Sequence, residues 1–161
     1  MTSKSHLNLV RFKQWADQGL HEVVALTIDE LGKEDQTNLL RLLDHILVVD
    51  LIFRNHLKGV SSDFMAPRSE RLPDIRWLAE TSSEVDEWYV AYVEDLAPSD
   101  FDRELKFNFT SGKPASMTRG EIIQHVVLHG TYHRGMAGVI LQKNAIQPND
   151  DRVTDFLELA A

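Results

Sequence analysis

Apolar residues recur along this chain at helical spacing in four long runs, interrupted once by a stretch that alternates. In the first run, Leu7 to Leu31, the residues Leu9, Phe12, Leu20, Val23, Val24 and Ile28 repeat with Arg11, Lys13, Gln14 and Asp17 between them. Gly32 reads as the end of that helix, and Trp15 as a packing residue. Thr37 or Asn38 would cap a second helix running to Lys58, with Gly59 as its stop. The middle of this helix, Leu42 to Phe53, is apolar almost all round, as in a helix buried on most sides. Residues 59–73 read as a loop, more simply a connection than the cover of a pocket. Pro73 suits the first turn of a third helix reaching about Leu96. Ile75, Leu78, Val85, Trp88, Tyr89 and Tyr92 mark its apolar face, while Glu80, Glu84, Asp86, Glu87, Glu94 and Asp95 read as solvated.

The pattern then changes period. Leu105-Lys-Phe-Asn-Phe109 alternates, a Thr-Ser-Gly-Lys-Pro turn follows, and then Ala115-Ser-Met117, which predicts a short hairpin or an extended segment. A lone hairpin is marginal, so it should lie across the end of a helix bundle. Thr118-Arg-Gly-Glu121 carries the capping-box pattern and opens a fourth helix to about Lys143, ended by Asn144 and Pro148. Asp151 to Leu159 predicts a short terminal helix docking through Val153, Phe156, Leu157 and Leu159. The fold class is therefore all-α.

The fourth helix carries the chemistry. His125, His129 and His133 recur every four residues, and residues four apart share a face. With Ile122 at zero on a wheel of about 100° per residue, His129 falls near −20° and His133 near +20°, while His125 falls near −60°. The wheel thus selects His129 and His133 as an inward pair. Two adjacent imidazoles in a core cannot both be charged, and each needs a partner. One metal ion satisfies both at once; the alternative is bonding to other side chains or buried water. A third ligand should come from another element. His45, among aliphatic residues of the second helix, must also be neutral and satisfied by a hydrogen bond or a metal. His56 lies roughly 16 Å further along that helix and cannot share an ion with it. Gly130, Gly135 and Gly138 each cost the helix about 1 kcal/mol, and close approach by another helix, a loop or a second subunit would explain them. Arg134 is at least as easily a surface or interface salt bridge as a ligand-binding group.

Composition narrows the chemistry. The chain has no cysteine, so disulfides, thiolate ligands and a cysteine nucleophile are excluded. A metal would be held by His, Asp, Glu or water, which favours zinc, nickel, iron or manganese. A net charge of −8 with no basic run argues against nucleic acid as a partner. With 161 residues, one domain over residues 1–161 is expected. No run of about 18 apolar residues is present, so no membrane span is expected, and the N-terminus lacks the apolar region of a signal peptide.

Three segments together are similar to the DinB-like superfamily: Leu43-Asp-His45-Ile-Leu-Val-Val-Asp50, the run His125-Val-Val-Leu-His129-Gly-Thr-Tyr-His133-Arg-Gly135, and Trp15-Ala-Asp17. The resemblance covers nearly the whole chain, and the family's name does not imply a DNA polymerase. It implies an antiparallel four-helix bundle, a homodimer, and a divalent ion, commonly nickel or zinc, held by His45, His129 and His133. It also implies kinship with transferases and isomerases that use mycothiol, bacillithiol or glutathione. Met136 departs from the motif, which often has Gln there. Three imidazoles leave a coordination position open, and such an ion can activate water or a thiolate brought by the substrate. The leading expectation is a cytoplasmic metal-dependent enzyme, a low-molecular-weight-thiol S-transferase or a hydrolase of a small molecule. His125 would act beside the ligands as a base, or else bridge to a neighbouring helix. The competing expectation is a non-catalytic metal-binding or stress-response module.

Overall fold

The computed structural model describes residues 3–159; the first and last two residues of the expected domain lie outside the described residues. Helix α1 spans Ser3–Thr27, α2 Lys33–Lys58, α3 Ile75–Asp95, α4 Arg119–Lys143 and α5 Val153–Leu159, with strands β1 (Glu104–Asn108) and β2 (Pro114–Thr118) before α4. The chain is thus mostly helical with one small antiparallel sheet. Its long helices pack as α1 on α3, α3 on α2, α2 on α4 and α4 on α1, enclosing a common core. Val10, Leu20, Leu39, Leu47, Leu78, Tyr89, Ile122 and Leu141 are among the side chains almost wholly withdrawn from water there. No helix is long and apolar enough to cross a membrane among the described residues.

Several helix ends follow the sequence signals. Gly59 adopts φ 68°, and the N–H groups of Gly59 and Val60 bond the carbonyls of His56 and Asn55, closing α2 as expected. Thr118 Oγ1 accepts from Glu121 N at 3.1 Å and Glu121 Oε2 accepts from Thr118 N at 2.7 Å, a complete capping box that starts α4 as β2 ends. The hairpin pairs Leu105 with Met117 and Phe107 with Ala115. It docks by stacking Phe107 on His56 with ring centroids 4.1 Å apart.

Other ends differ. Gly32 does not stop α1, which ends at Thr27 and passes through a 3-10 turn at Ile28–Glu30; Gly32 instead caps the start of α2. Thr37 and Asn38 lie inside that helix, because Glu34 and Asp35 in its first turn suit the positive end of its dipole. Pro73 precedes α3 without entering its first turn, because Asp74 caps the helix by accepting from Trp77 N. Of the expected terminal-helix contacts, Phe156 packs on Phe12 and Trp15 at 6.2 and 5.9 Å, while Val153, Leu157 and Leu159 stay exposed.

The largest correction concerns the core side of α4. Its buried face runs through Ile123, Val127, Gly130, Arg134, Ala137 and Leu141, about 90° from the centre assumed on the wheel. His129 and His133 therefore sit on the flank of that face, half-buried, and Arg134 sits at its middle. Gly130 makes room for this, since a Cβ there would stand 3.0 Å from Arg134 Nη1 and 3.7 Å from Lys13 Cε. Gly138 faces Pro148, whereas Gly135 has nothing close by.

Candidate metal centre

Two helices meet to form the centre. His45 comes from α2, and His129 and His133 come from successive turns of α4. One ligand-capable atom of each lies within 4.8 Å of the others. The ring centroids are 4.5 to 4.8 Å apart, and the Nε2 atoms of His45 and His129 face each other at 3.0 Å. All three rings are half-buried, so the cluster has a side open to solvent.

His45 is oriented by the 59–74 loop. Its Nδ1–H donates to the Pro67 carbonyl at 2.7 Å, which leaves Nε2 as the lone-pair nitrogen turned toward the other rings. The loop is held in turn by Asp44, whose Oδ2 accepts from Ser69 N at 2.9 Å, and by Arg41, which donates to the Ser69 carbonyl at 3.1 Å. The loop is therefore more than the plain connection expected of it. His129 and His133 have no such support: their Nδ1 atoms are buried without a hydrogen-bond partner among the described residues.

Burial disfavours the charged form of the two α4 rings. Burial, then the neighbouring His133, His45, His125 and Lys13, push His129 down to about 3. Burial and His45 lower His133. Three imidazoles, one with its far nitrogen tied to a carbonyl and two with unpartnered buried nitrogens, form a donor set that fits a divalent ion. The three-histidine group can therefore hold a metal.

His125 stands apart from this group. Its ring centroid is 5.6 Å from that of His129 and 4.6 Å from that of Phe53, and burial lowers its pKa. It borders a cavity of about 210 Å³ that His129 also borders. A larger hollow of about 680 Å³ between α1 and α3 contains none of the three histidines. His56, stacked on Phe107, is likewise outside the group.

A second polar cluster went unread in the sequence. Lys13 Nζ lies 2.6 Å from Asp17, 2.7 Å from Asp50 and 2.5 Å from Asp86, with all four side chains at most 3% exposed. Arg134 continues the network to Asp17 at 2.8 Å and to Asp151 at 2.7 Å, beneath Phe12. It is thus a buried tie between α4, α1 and the segment before α5, and not a surface salt bridge. Asp86 likewise does not belong to a solvated face. The three carboxylates are close enough to hold an ion, but the Lys13 ammonium already fills their centre. Burial pushes Lys13 toward the neutral form, and the three aspartates overcome this and keep it charged. Burial also opposes ionisation of Asp17, yet Lys13 and Arg134 hold its carboxyl below the ordinary range. Burial raises Asp50 to about 6 and lifts Asp86 well above the ordinary range. The missed signal was phase: Lys13, Asp17, Asp50 and Asp86 interrupt apolar stripes, and a charge there needs an opposite charge across the core.

A family model described as the DinB family matches residues 1–160. No curated protein matches the chain significantly.

Proposed function

The chain belongs to the DinB family, and from that premise we propose that it is a single-domain four-helix bundle acting as a divalent-metal-dependent enzyme, with His45, His129 and His133 holding the ion. Nickel and zinc suit three imidazoles best among the ions this donor set admits. The observation that carries the proposal is the facing pair of Nε2 atoms at 3.0 Å, one belonging to a ring whose other nitrogen is already committed to Pro67.

An ion bound there supplies Lewis acidity toward a water or thiol placed beside it. The protein's own contribution is positional. Pro67 fixes the face of His45, and the depressed basicity of His129 and His133 keeps protons off the donor atoms at neutral pH. The reaction class is transfer to or from a low-molecular-weight thiol, or hydrolysis of a small molecule. Because the chain has no cysteine, any thiol arrives with the substrate. His125, beside His129 but outside the ligand group, is placed to take a proton from a bound substrate. We further propose a homodimer formed through α4, where Leu128, Tyr132, Met136 and Val139 make an exposed apolar stripe.

Elemental analysis of purified protein tests the metal assignment. One nickel or zinc per chain is expected, lost in both His45→Ala and His129→Ala. No stoichiometric ion, even after loading with each candidate metal, overturns it. Turnover of electrophiles with a panel of small thiols, dependent on the ion, separates an enzyme from a module in which the ion only ties α2 to α4.

A further inference from the structure

The cavity of about 210 Å³ beside His129 is lined by Val49, Ile52 and Phe53 of α2 and by Phe109 of the hairpin turn, together with His125 and His129 of α4. His129 thus belongs to two structures at once, the histidine group and the lining of an apolar chamber. A hollow of different character lies beside His45, bordered by Arg41 and Arg68, with Pro67 forming a wall common to both. A molecule seated at the three histidines therefore meets aliphatic and aromatic carbon in one direction and guanidinium groups in another. Apolar cavities of roughly 150 Å³ accept a benzene ring, so this one takes one ring with a short linker.

We propose that the ligand of the three-histidine centre carries an apolar group the size of a single aromatic ring or a branched aliphatic chain, and that this group enters the chamber between α2 and the hairpin. The proposal rests on the metal-centre reading for the ligand's other end, which bears the donor atom. Its apolar end rests on the chamber alone. Val49, Ile52 and Phe109 line the chamber, so these residues govern which substituents fit.

Acetohydroxamate and benzohydroxamate test this, because they share one metal-binding head and differ only in methyl against phenyl. Their affinities are measured by calorimetry on protein loaded with zinc or nickel. Benzohydroxamate is expected to bind at least about tenfold more tightly. Val49→Phe fills the chamber and should bring the ratio near one without weakening acetohydroxamate. Phe109→Ala removes a wall at a 38% exposed position, where folding is not at stake, and should lower the ratio several-fold. Equal affinities in the wild type, or a preference that survives both substitutions, overturn the proposal. If the protein holds no ion, or holds one and binds neither hydroxamate, the metal-centre reading fails instead. The chamber is then judged on metal-free protein with phenol, followed by NMR. Shifts of the Val49 and Ile52 methyl groups, abolished by Val49→Phe, retain it as a ring-binding site, and their absence removes it.

Discussion

Two aspartates on the same lysine should respond to very different extents to the same substitution. Asp17 is ionised and bonded to both Lys13 at 2.6 Å and Arg134 at 2.8 Å, all out of water. Asp17→Asn removes the charge that holds two buried cations in place. Each hydrogen bond to a charged group is worth about 1.5–3 kcal/mol, and breaking a buried pair by removing one partner costs about 3–5 kcal/mol. We therefore expect a loss of about 4 kcal/mol, a large share of the roughly 5–15 kcal/mol that holds a domain folded. Asp86 touches Lys13 just as closely, but burial pushes its pKa up where that of Asp17 is held down. Asp86→Asn replaces a carboxyl whose charge the fold disfavours by a neutral group of similar shape and should cost no more than about 1 kcal/mol. Urea unfolding at pH 7 reads both. With a slope of about 2 kcal/mol per molar urea, the midpoint should fall by about 2 M for Asp17→Asn and by less than about 0.5 M for Asp86→Asn. Equal losses would show that the Asp86 charge supports the network as fully as that of Asp17, and two small losses would show that the network is not closed.

Asp50 should leave a mark on the pH dependence. Its folded pKa of about 6 lies above the ordinary 3.8, so the stability it contributes is present in acid and lost as pH rises through 6. His129, lowered to about 3, acts the other way, and its contribution is lost as pH falls below about 6.5. Removing the first with Asp50→Asn should make stability rise more steeply between pH 4.5 and 6.5 than in the wild type, as read from urea midpoints; a parallel profile would contradict the assignment. Thr118→Ala removes the acceptor for Glu121 N and should cost about 1 kcal/mol in the same measurement, against no change if the cap is idle. Tyr132→Asp, at a position 69% exposed, should convert a dimer to a monomer in light scattering without altering the unfolding slope. A dimer that persists would place the interface away from this stripe.

The long helices, the hairpin and the capping box at Thr118 were legible because each is written locally, in periodicity or in turn and cap chemistry. The histidines were legible as residues but less so in orientation. A wheel with Ile122 at zero puts Gly130 and Arg134 well to one side of its centre. The structure shows the opposite, with Arg134 at the middle of the buried face and the histidines on its flank. The ion network was illegible for a related reason. Lys13, Asp17, Asp50 and Asp86 come from three helices, and each alone resembles a solvent-facing charge. Only the packing of α1 against α3 and α2 reveals that they neutralise one another. Helix termini misread by a few residues, at Gly32 and Pro73, reflect competition between nearby capping signals.

The bond from His45 to Pro67 engages a main-chain oxygen, which every amino acid possesses. The residue at position 67 can therefore change freely in identity while the ring it steers stays put, but the number of residues between α2 and that carbonyl cannot. Drift in this family would then be permissive toward substitution in the loop and intolerant of insertions or deletions between Gly59 and Ser69. The constraint on the centre is one of length, and it would pass unnoticed in any inspection of side chains alone.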